Sequence, residues 1–236
     1  MNLADFQRQK YARYVAVSPS KFYLHKVFDL IAALPRKSIK DSLELGCADG
    51  SFSVSLEDAF GLQMYGLDIS RDAVRSARKK GIVAFQHDLE KSFPMAKHSF
   101  DLVVACEVVE HLFDTDFFLS EVRRVLRPGG FLVLSTPNLA SLKNRLRLLL
   151  GKYPELVPEF RPATGHVSAY TADTLCHQLD EQGFEVLELV APNFPFPMTS
   201  RFVPRFLKRA ASALGNVVPS WCSHLIVVAR VRKHRV

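Results

Sequence analysis

The sequence predicts an α/β fold, a doubly wound parallel sheet with helices on both faces, and three observations carry that reading. Residues 39–45 place apolar side chains at 39, 43 and 45 and stop at Gly46, the pattern of a buried strand entering a tight turn. The turn after Glu44-Leu45, Gly46-Cys47-Ala48-Asp49-Gly50-Ser51, is rich in small residues and feeds Phe52, Val54, Leu56, Ala59 and Phe60, which read as a helix start. A second strand, residues 63–67, ends on Asp68-Ile69-Ser70. Small residues let a backbone approach a ligand, and a helix N-terminus offers N–H groups and positive potential to an anionic group. An acid at the tip of the second strand is placed to accept hydrogen bonds from a ribose diol. The dinucleotide fingerprint G-x-G-x-x-G is not there; the turn reads E-x-G-x-A-x-G.

The remaining elements follow in order. Residues 1–35 read as helical: Phe6, Tyr11, Tyr14 and Val15, then Phe22, Leu24, Val27, Phe28 and Ile31, with Ser18-Pro19-Ser20 between the segments and Pro35 as a stop. Residues 71–80 form a short amphipathic helix with Ala73, Val74 and Ala77 inward, ended by Gly81. Residues 82–85 are a third strand leading to His87-Asp88-Leu89, and residues 100–106 are a continuous apolar strand suited to the sheet centre. Glu107 to Leu112 follow, then a helix over 114–126 with Phe117, Phe118, Val122, Val125 and Leu126 on its apolar face. Arg127-Pro128-Gly129-Gly130 turns the chain into a strand at 131–135; a helix at 171–182 and strands at 184–190 and 223–231 complete the core. This alternation makes the strands parallel, with ligand at their carboxyl ends.

Two stretches stand outside that pattern within a single domain spanning 1–236. Residues 138–165 hold a basic amphipathic helix, Leu139, Leu142, Leu146, Leu149 and Leu150 against Lys143, Arg145 and Arg147, followed by a proline-rich loop. Residues 191–221 hold Pro192, Pro195, Pro197 and Pro204 and a segment, 201–214, with Phe202, Phe206 and Ala210 opposite Arg205, Lys208 and Arg209. By chain order both emerge at the carboxyl side, where substrate caps belong. The 201–214 segment is expected to be a lid with a basic outer face, the alternatives being peripheral contact with an anionic membrane or ordinary packing on the sheet.

At 236 residues, 48% hydrophobic and 23% charged, the chain has the size and composition of one globular α/β domain. No apolar run approaches the ~18 residues of a membrane span. Met1 to Asp5 shows no basic segment leading into an apolar run, so no secretory signal is read there. The four cysteines, 47, 106, 176 and 222, form no C-x-x-C pair and read as free thiols in a reducing cytoplasm. A net charge of +7 suits nucleic acid, anionic lipid or an acidic substrate, or serves only solubility.

With Glu44 to Gly50, Asp68 and the run LRPGGFLVLSTPN at 126–138 in hand, residues 41–136 and 165–190 resemble the class I S-adenosylmethionine-dependent methyltransferases. The resemblance implies a Rossmann-like, seven-stranded, mostly parallel sheet whose last pair is antiparallel. It implies that Glu44, Gly46, Cys47, Ala48 and Gly50 cradle the methionine part of the cofactor and that Asp68, with Ile69 beside it, holds the ribose. Asp88 would bond the adenine amino group and Leu89 wall the ring, or Asp88 simply forms its turn. Cys106 would line the same cleft. Ala48 replaces the family's more usual glycine, so the loop is expected to avoid positive φ there.

Methyl transfer from a sulfonium is an in-line displacement, and a hydroxyl acceptor must also lose its proton. Glu107, Glu110 and His111 stand at i, i+3 and i+4, so one helical turn presents all three on one face, and His166 is expected to point into the same cleft. Two carboxylates and two imidazoles suit Mg²⁺, Mn²⁺ or Zn²⁺. Ubiquinone-pathway O-methyltransferases share the E-x-x-E-H turn. Small-RNA 3′-end 2′-O-methyltransferases share it too and add a later His as metal ligand. Alternatively His111 acts as a lone base or caps the turn, and the glutamates are solvated. The expected function is methylation of an oxygen on a small or lipid-linked metabolite, with Glu107, His111 and His166 catalytic. RNA 2′-O-methylation is the alternative, against which stands the lack of aromatic–basic interleaving. A catalytically silent S-adenosylmethionine-binding regulatory module is the alternative of another class.

Overall fold

The computed structural model describes residues 24–35, 38–156, 165–191 and 219–232. The first segment of the expected N-terminal leader and the expected lid at 201–214 lie outside the described residues. Helix α1 (Leu24–Ala33) is followed by β1 (Asp41–Leu45), α2 (Ser51–Phe60), β2 (Gln63–Asp68), α3 (Arg71–Lys79), β3 (Val83–Gln86) and β4 (Phe100–Cys106). A short 3₁₀ turn, Val109–His111, leads to α4 (Thr115–Val125), β5 (Leu126–Pro137), α5 (Leu142–Leu149), α6 (Ala172–Glu181), β6 (Phe184–Val190) and β7 (His224–Val231).

The sheet has seven strands in the order β3-β2-β1-β4-β5-β7-β6. The first five are parallel, and β7 runs antiparallel to both β5 and β6. The order reverses between β1 and β4, so a cleft opens at their carboxyl ends, where α/β sheets hold ligands. The continuous apolar run of β4 follows from its central place. Leu102 and Val104 pack on one face with Leu56, Val74 and Phe28, while Val103 and Ala105 pack on the other with Phe118, Val122, Leu175 and Leu179. β5 starts directly where α4 stops. Leu126 pairs with Phe100 and Phe131 with Leu102, so residues 127–130 swing out of register. Arg127 uses that excursion to reach Asp101 at 2.6 Å and Asp41 at 3.1 Å.

Helix ends obey their local chemistry. Ser70, Asp114, Ser141 and Thr171 each accept a backbone N–H of the following helix, and Thr171 with Thr174 closes a capping box. Inside α4, Glu121 accepts from Arg124 at 2.6 Å, from Phe93 N at 2.6 Å and from Ser92 Oγ at 2.9 Å. The Arg124 bond above all, against the opposing effect of burial, holds its carboxyl at about 2. The folded value lies below the unfolded ~4.3, so the stabilisation is complete above ~4.3 and disappears as pH falls towards 2. Glu121→Gln is therefore expected to remove ~2–3 kcal/mol at neutral pH and to flatten acid denaturation between those limits, read from denaturant midpoints against pH.

Candidate active site

The turn after β1 is fixed from inside. Glu44 is buried on β1 and accepts a hydrogen bond from Ser53 Oγ of α2, tying strand to helix beneath the turn. Gly50 has φ +73°, and a Cβ there would sit 2.8 Å from Ala77 Cβ of α3, so only glycine allows the helices this close. Asp49 accepts from Lys80 Nζ at 2.5 Å and Ser51 Oγ at 2.8 Å. Burial opposes its ionisation, but these bonds prevail and bring its carboxyl down to about 2.

Ala48 corrects an expectation. Its φ is +46°, in the left-handed region the sequence led us to exclude. Its N–H donates to Asp68 Oδ2 at 2.8 Å, which helps to offset a strain of order 1 kcal/mol. Ala48→Gly is expected to raise stability by ~0.5–1 kcal/mol, the relief of strain outweighing the added chain entropy; an unchanged or lower urea midpoint would contradict this. Asp68 also accepts Ser70 N at 2.8 Å through Oδ1, so both its oxygens are oriented by backbone and each keeps acceptor capacity.

The other expected cofactor residues lie around this loop. Cys47 is buried, and desolvation first, with Glu44 and Asp68 adding repulsion, pushes its thiol up to about 12. A Cβ on Gly46 would meet Val108 at 2.8 Å. Ile69 is 69% exposed beyond β2, whereas Leu89 is buried. Asp88 accepts Glu90 N at 3.1 Å and pairs with Lys91 at 3.2 Å, so it braces its own turn. Cys106, at the end of β4, has its thiol raised by burial and by the charges of Glu44 and Glu107.

Beyond β4 the expected four-residue cluster divides. Glu107 has φ +55°, which turns its side chain away from the 3₁₀ turn. Its carboxylate accepts from Ser135 Oγ at 2.8 Å and lies 3.4 Å from His224 Nε2. The single helical face expected for Glu107, Glu110 and His111 is not formed. Among the described residues, the group able to share an ion is Glu110, His111 and His166, with ligand atoms within 4.8 Å of one another. Glu110 is 1% exposed; Oε2 accepts from Thr136 at 3.2 Å, and Oε1 has no hydrogen-bond partner among the described residues. Desolvation, then repulsion from Glu107, raises its carboxyl to about 8.

His111 places Nδ1 3.1 Å from Gly165 O, and its Nε2 is 3.9 Å from Glu110 Oε1. His166 places Nδ1 3.1 Å from Leu156 O, and the two imidazoles stand 4.8 Å apart. The Glu110 carbonyl accepts Val167 N at 2.8 Å and Ser168 N at 3.0 Å, which brings residue 166 back beside 110 and 111. His224 was not singled out in the sequence. It opens β7, and because that strand is antiparallel its first residue pairs with Pro137 at the carboxyl edge of β5.

Comparison with known proteins agrees with this architecture. Residues 11–189 match the model of the methyltransferase domain family. A probable S-adenosylmethionine-dependent methyltransferase of Mycolicibacterium smegmatis is 34% identical over 148 residues, 62% of this chain and 52% of that protein. The ubiquinone biosynthesis O-methyltransferase of Sinorhizobium fredii is 33% identical over 101 residues, 41% of this chain and 40% of that protein. The chain thus spans about half the length, or less, of these curated relatives. Among solved structures, a SAM-dependent methyltransferase of Thermotoga maritima superposes with a TM-score of 0.66 at 20% identity, covering 96% of this chain and 98% of that one. The chain belongs to the S-adenosylmethionine-dependent methyltransferase family.

Proposed function

We propose that this chain transfers the methyl group of S-adenosylmethionine to an oxygen of a small or lipid-linked metabolite. The observation that carries the reading is the convergence of Glu110, His111 and His166 just beyond β4. In the displacement, the O–CH₃ bond forms as the S–CH₃ bond breaks, the electron pair leaves with sulfur, and the hydroxyl proton passes to a base. The turn from Gly46 to Gly50 holds the methionine part of the donor, and Asp68 directs its remaining lone pairs at the ribose diol. Leu89 walls the adenine, Asp88 bonds its amino group while bracing its own turn, and Cys106 lines the cleft.

A divalent metal fits the three converging residues. Among the described residues Glu110 Oε1 is a buried acceptor without a hydrogen-bond partner, and each imidazole holds its Nδ1 at a backbone carbonyl, the arrangement that orients Nε2 as a ligand. Two nitrogens and one oxygen suit Mn²⁺ or Zn²⁺ better than Mg²⁺. When bound, the metal supplies Lewis acidity that eases loss of a hydroxyl proton. At the same edge Glu107 lies 3.4 Å from His224 Nε2 while Ser223 Oγ lies 2.9 Å from His224 Nδ1, so this imidazole braces Glu107.

The test is a screen of cell extract with isotope-labelled methyl donor, with products resolved into lipid, RNA and soluble fractions. Label in lipid or soluble oxygen-methylated products supports the reading, and label in RNA alone transfers it to 2′-O-methylation. Donor binding with no labelled product in any fraction would leave a non-catalytic S-adenosylmethionine-binding module.

A further inference from the structure

Helix α5 turns its polar side inward. Its buried residue is Asn144. The Asn144 amide donates to Glu155 O at 3.0 Å and to Asn138 O at 3.4 Å, and accepts Glu155 N at 2.8 Å. Leu142, Leu146, Leu149 and Leu150 fall on one stripe at helical spacing; Leu142 is half-buried and the other three face solvent. Leu146 is 51%, Leu149 82% and Leu150 70% exposed. Hydrogen bonds, rather than apolar burial, fasten this helix to the domain. The contiguous leucines lie on the outside, where a monomeric soluble domain seldom displays them.

The flanks are cationic. Residues 141–155 carry Lys143, Arg145, Arg147 and Lys152 against the single carboxylate of Glu155. Lys143 and Arg147 both lean on that carboxylate, at 2.5 and 3.0 Å, and Arg145 Nε bonds Ala140 O at 2.7 Å. Beside the helix lies the 3₁₀ turn Pro219–Trp221, with Trp221 39% exposed. Asn138 Nδ2 joins this turn to the approach to α5 by donating to Ser220 O at 3.0 Å and Cys222 O at 2.8 Å.

We propose that α5, with Trp221 beside it, docks on an anionic lipid bilayer. The leucine stripe enters the acyl boundary, the cations meet headgroup phosphates, and the indole lies at the interface. Charge decides between occupants. A second copy of this helix would bring cations against cations across an isologous contact, whereas an anionic bilayer meets the apolar stripe and both basic flanks together. The contact proposed is peripheral, and no helix among the described residues is long and apolar enough to cross a membrane. Docking is independent of the proposed chemistry. Only if that chemistry holds does it also bring a lipid-linked acceptor near the carboxyl edge, which α5 follows directly in the chain.

The test is co-sedimentation of the purified chain, without methyl donor, with vesicles of phosphatidylcholine alone or mixed equally with phosphatidylglycerol. Wild type is expected to bind the anionic vesicles and to be released by salt. Leu146→Ser/Leu149→Ser/Leu150→Ser is expected to lower partitioning at least about tenfold. Arg145→Glu/Lys152→Glu is expected to abolish the preference for anionic lipid. These side chains point outward, so unchanged thermal midpoints and S-adenosylmethionine affinity will show that the variants are folded. Absence of wild-type binding at low salt, wild-type-like binding by the leucine variant, or a solution dimer that this variant dissociates would each overturn the proposal. A failure of methyl transfer would leave the vesicle result unaffected.

Discussion

Glu110→Gln is expected to abolish turnover, by at least about a hundredfold, while making the metal-free chain more stable at neutral pH. The two effects have one origin. Glu110 Oε1 is buried without a hydrogen-bond partner among the described residues, and ionisation there is opposed by desolvation and by Glu107. Its folded pKa, about 8, lies above the unfolded ~4.3, so the folded state holds a proton that the unfolded state releases. Stability from this group is complete below ~4.3 and is lost as pH rises through 8. Glutamine is neutral at every pH and avoids that loss. A gain on the order of 1–3 kcal/mol is expected at pH ~7, shrinking to nothing near pH ~4. Urea midpoints of the two proteins across that range, with turnover measured beside them, check both halves. A variant that is both less stable and fully active would contradict the account of this residue.

Asp68→Ala is expected to weaken S-adenosylmethionine and its demethylated product alike, by roughly 10- to 150-fold, the equivalent of ~1.5–3 kcal/mol. The variant removes the carboxylate proposed to bond the ribose, and with it the acceptor that orients Ala48 N and Ser70 N. Asp68→Asn separates these contributions. It keeps one oxygen for the loop but lacks the charge, so a smaller loss with a normal thermal midpoint is expected. Calorimetry showing unchanged affinity for the alanine variant would remove Asp68 from the cofactor site.

The doubly wound core was legible because burial writes itself into period and run length. β4, covered on both faces, had to be apolar throughout, and the expected helix at 171–182 is found as Ala172–Glu181. The loop-to-acid pairing of Ala48 and Asp68 joins the ends of two neighbouring strands, so the site's general location could be read as well. What escaped depended on contacts distant in sequence. The spacing of Glu107, Glu110 and His111 describes one helical face, but a left-handed Glu107 sends its carboxylate to Ser135 and His224. Ala48 adopts a conformation that local sterics disfavour because a distant carboxylate accepts its N–H. The two faces of α5 were visible, yet amphipathicity does not say which faces inward. That was decided by Asn144 and its bonds to residues 138 and 155. His224 was invisible as a site residue until an antiparallel β7 brought its first residue to the carboxyl edge.

The most direct test of the central claim is methyl transfer by the wild-type chain to the acceptor found in the labelling screen, before and after exhaustive chelation. Labelled product is expected before chelation, loss of turnover after it with S-adenosylmethionine still bound, and recovery on adding Mn²⁺ or Zn²⁺ but not in Glu110→Gln. Full turnover in the chelated protein would contradict it and leave Glu110, His111 and His166 without a metal to hold.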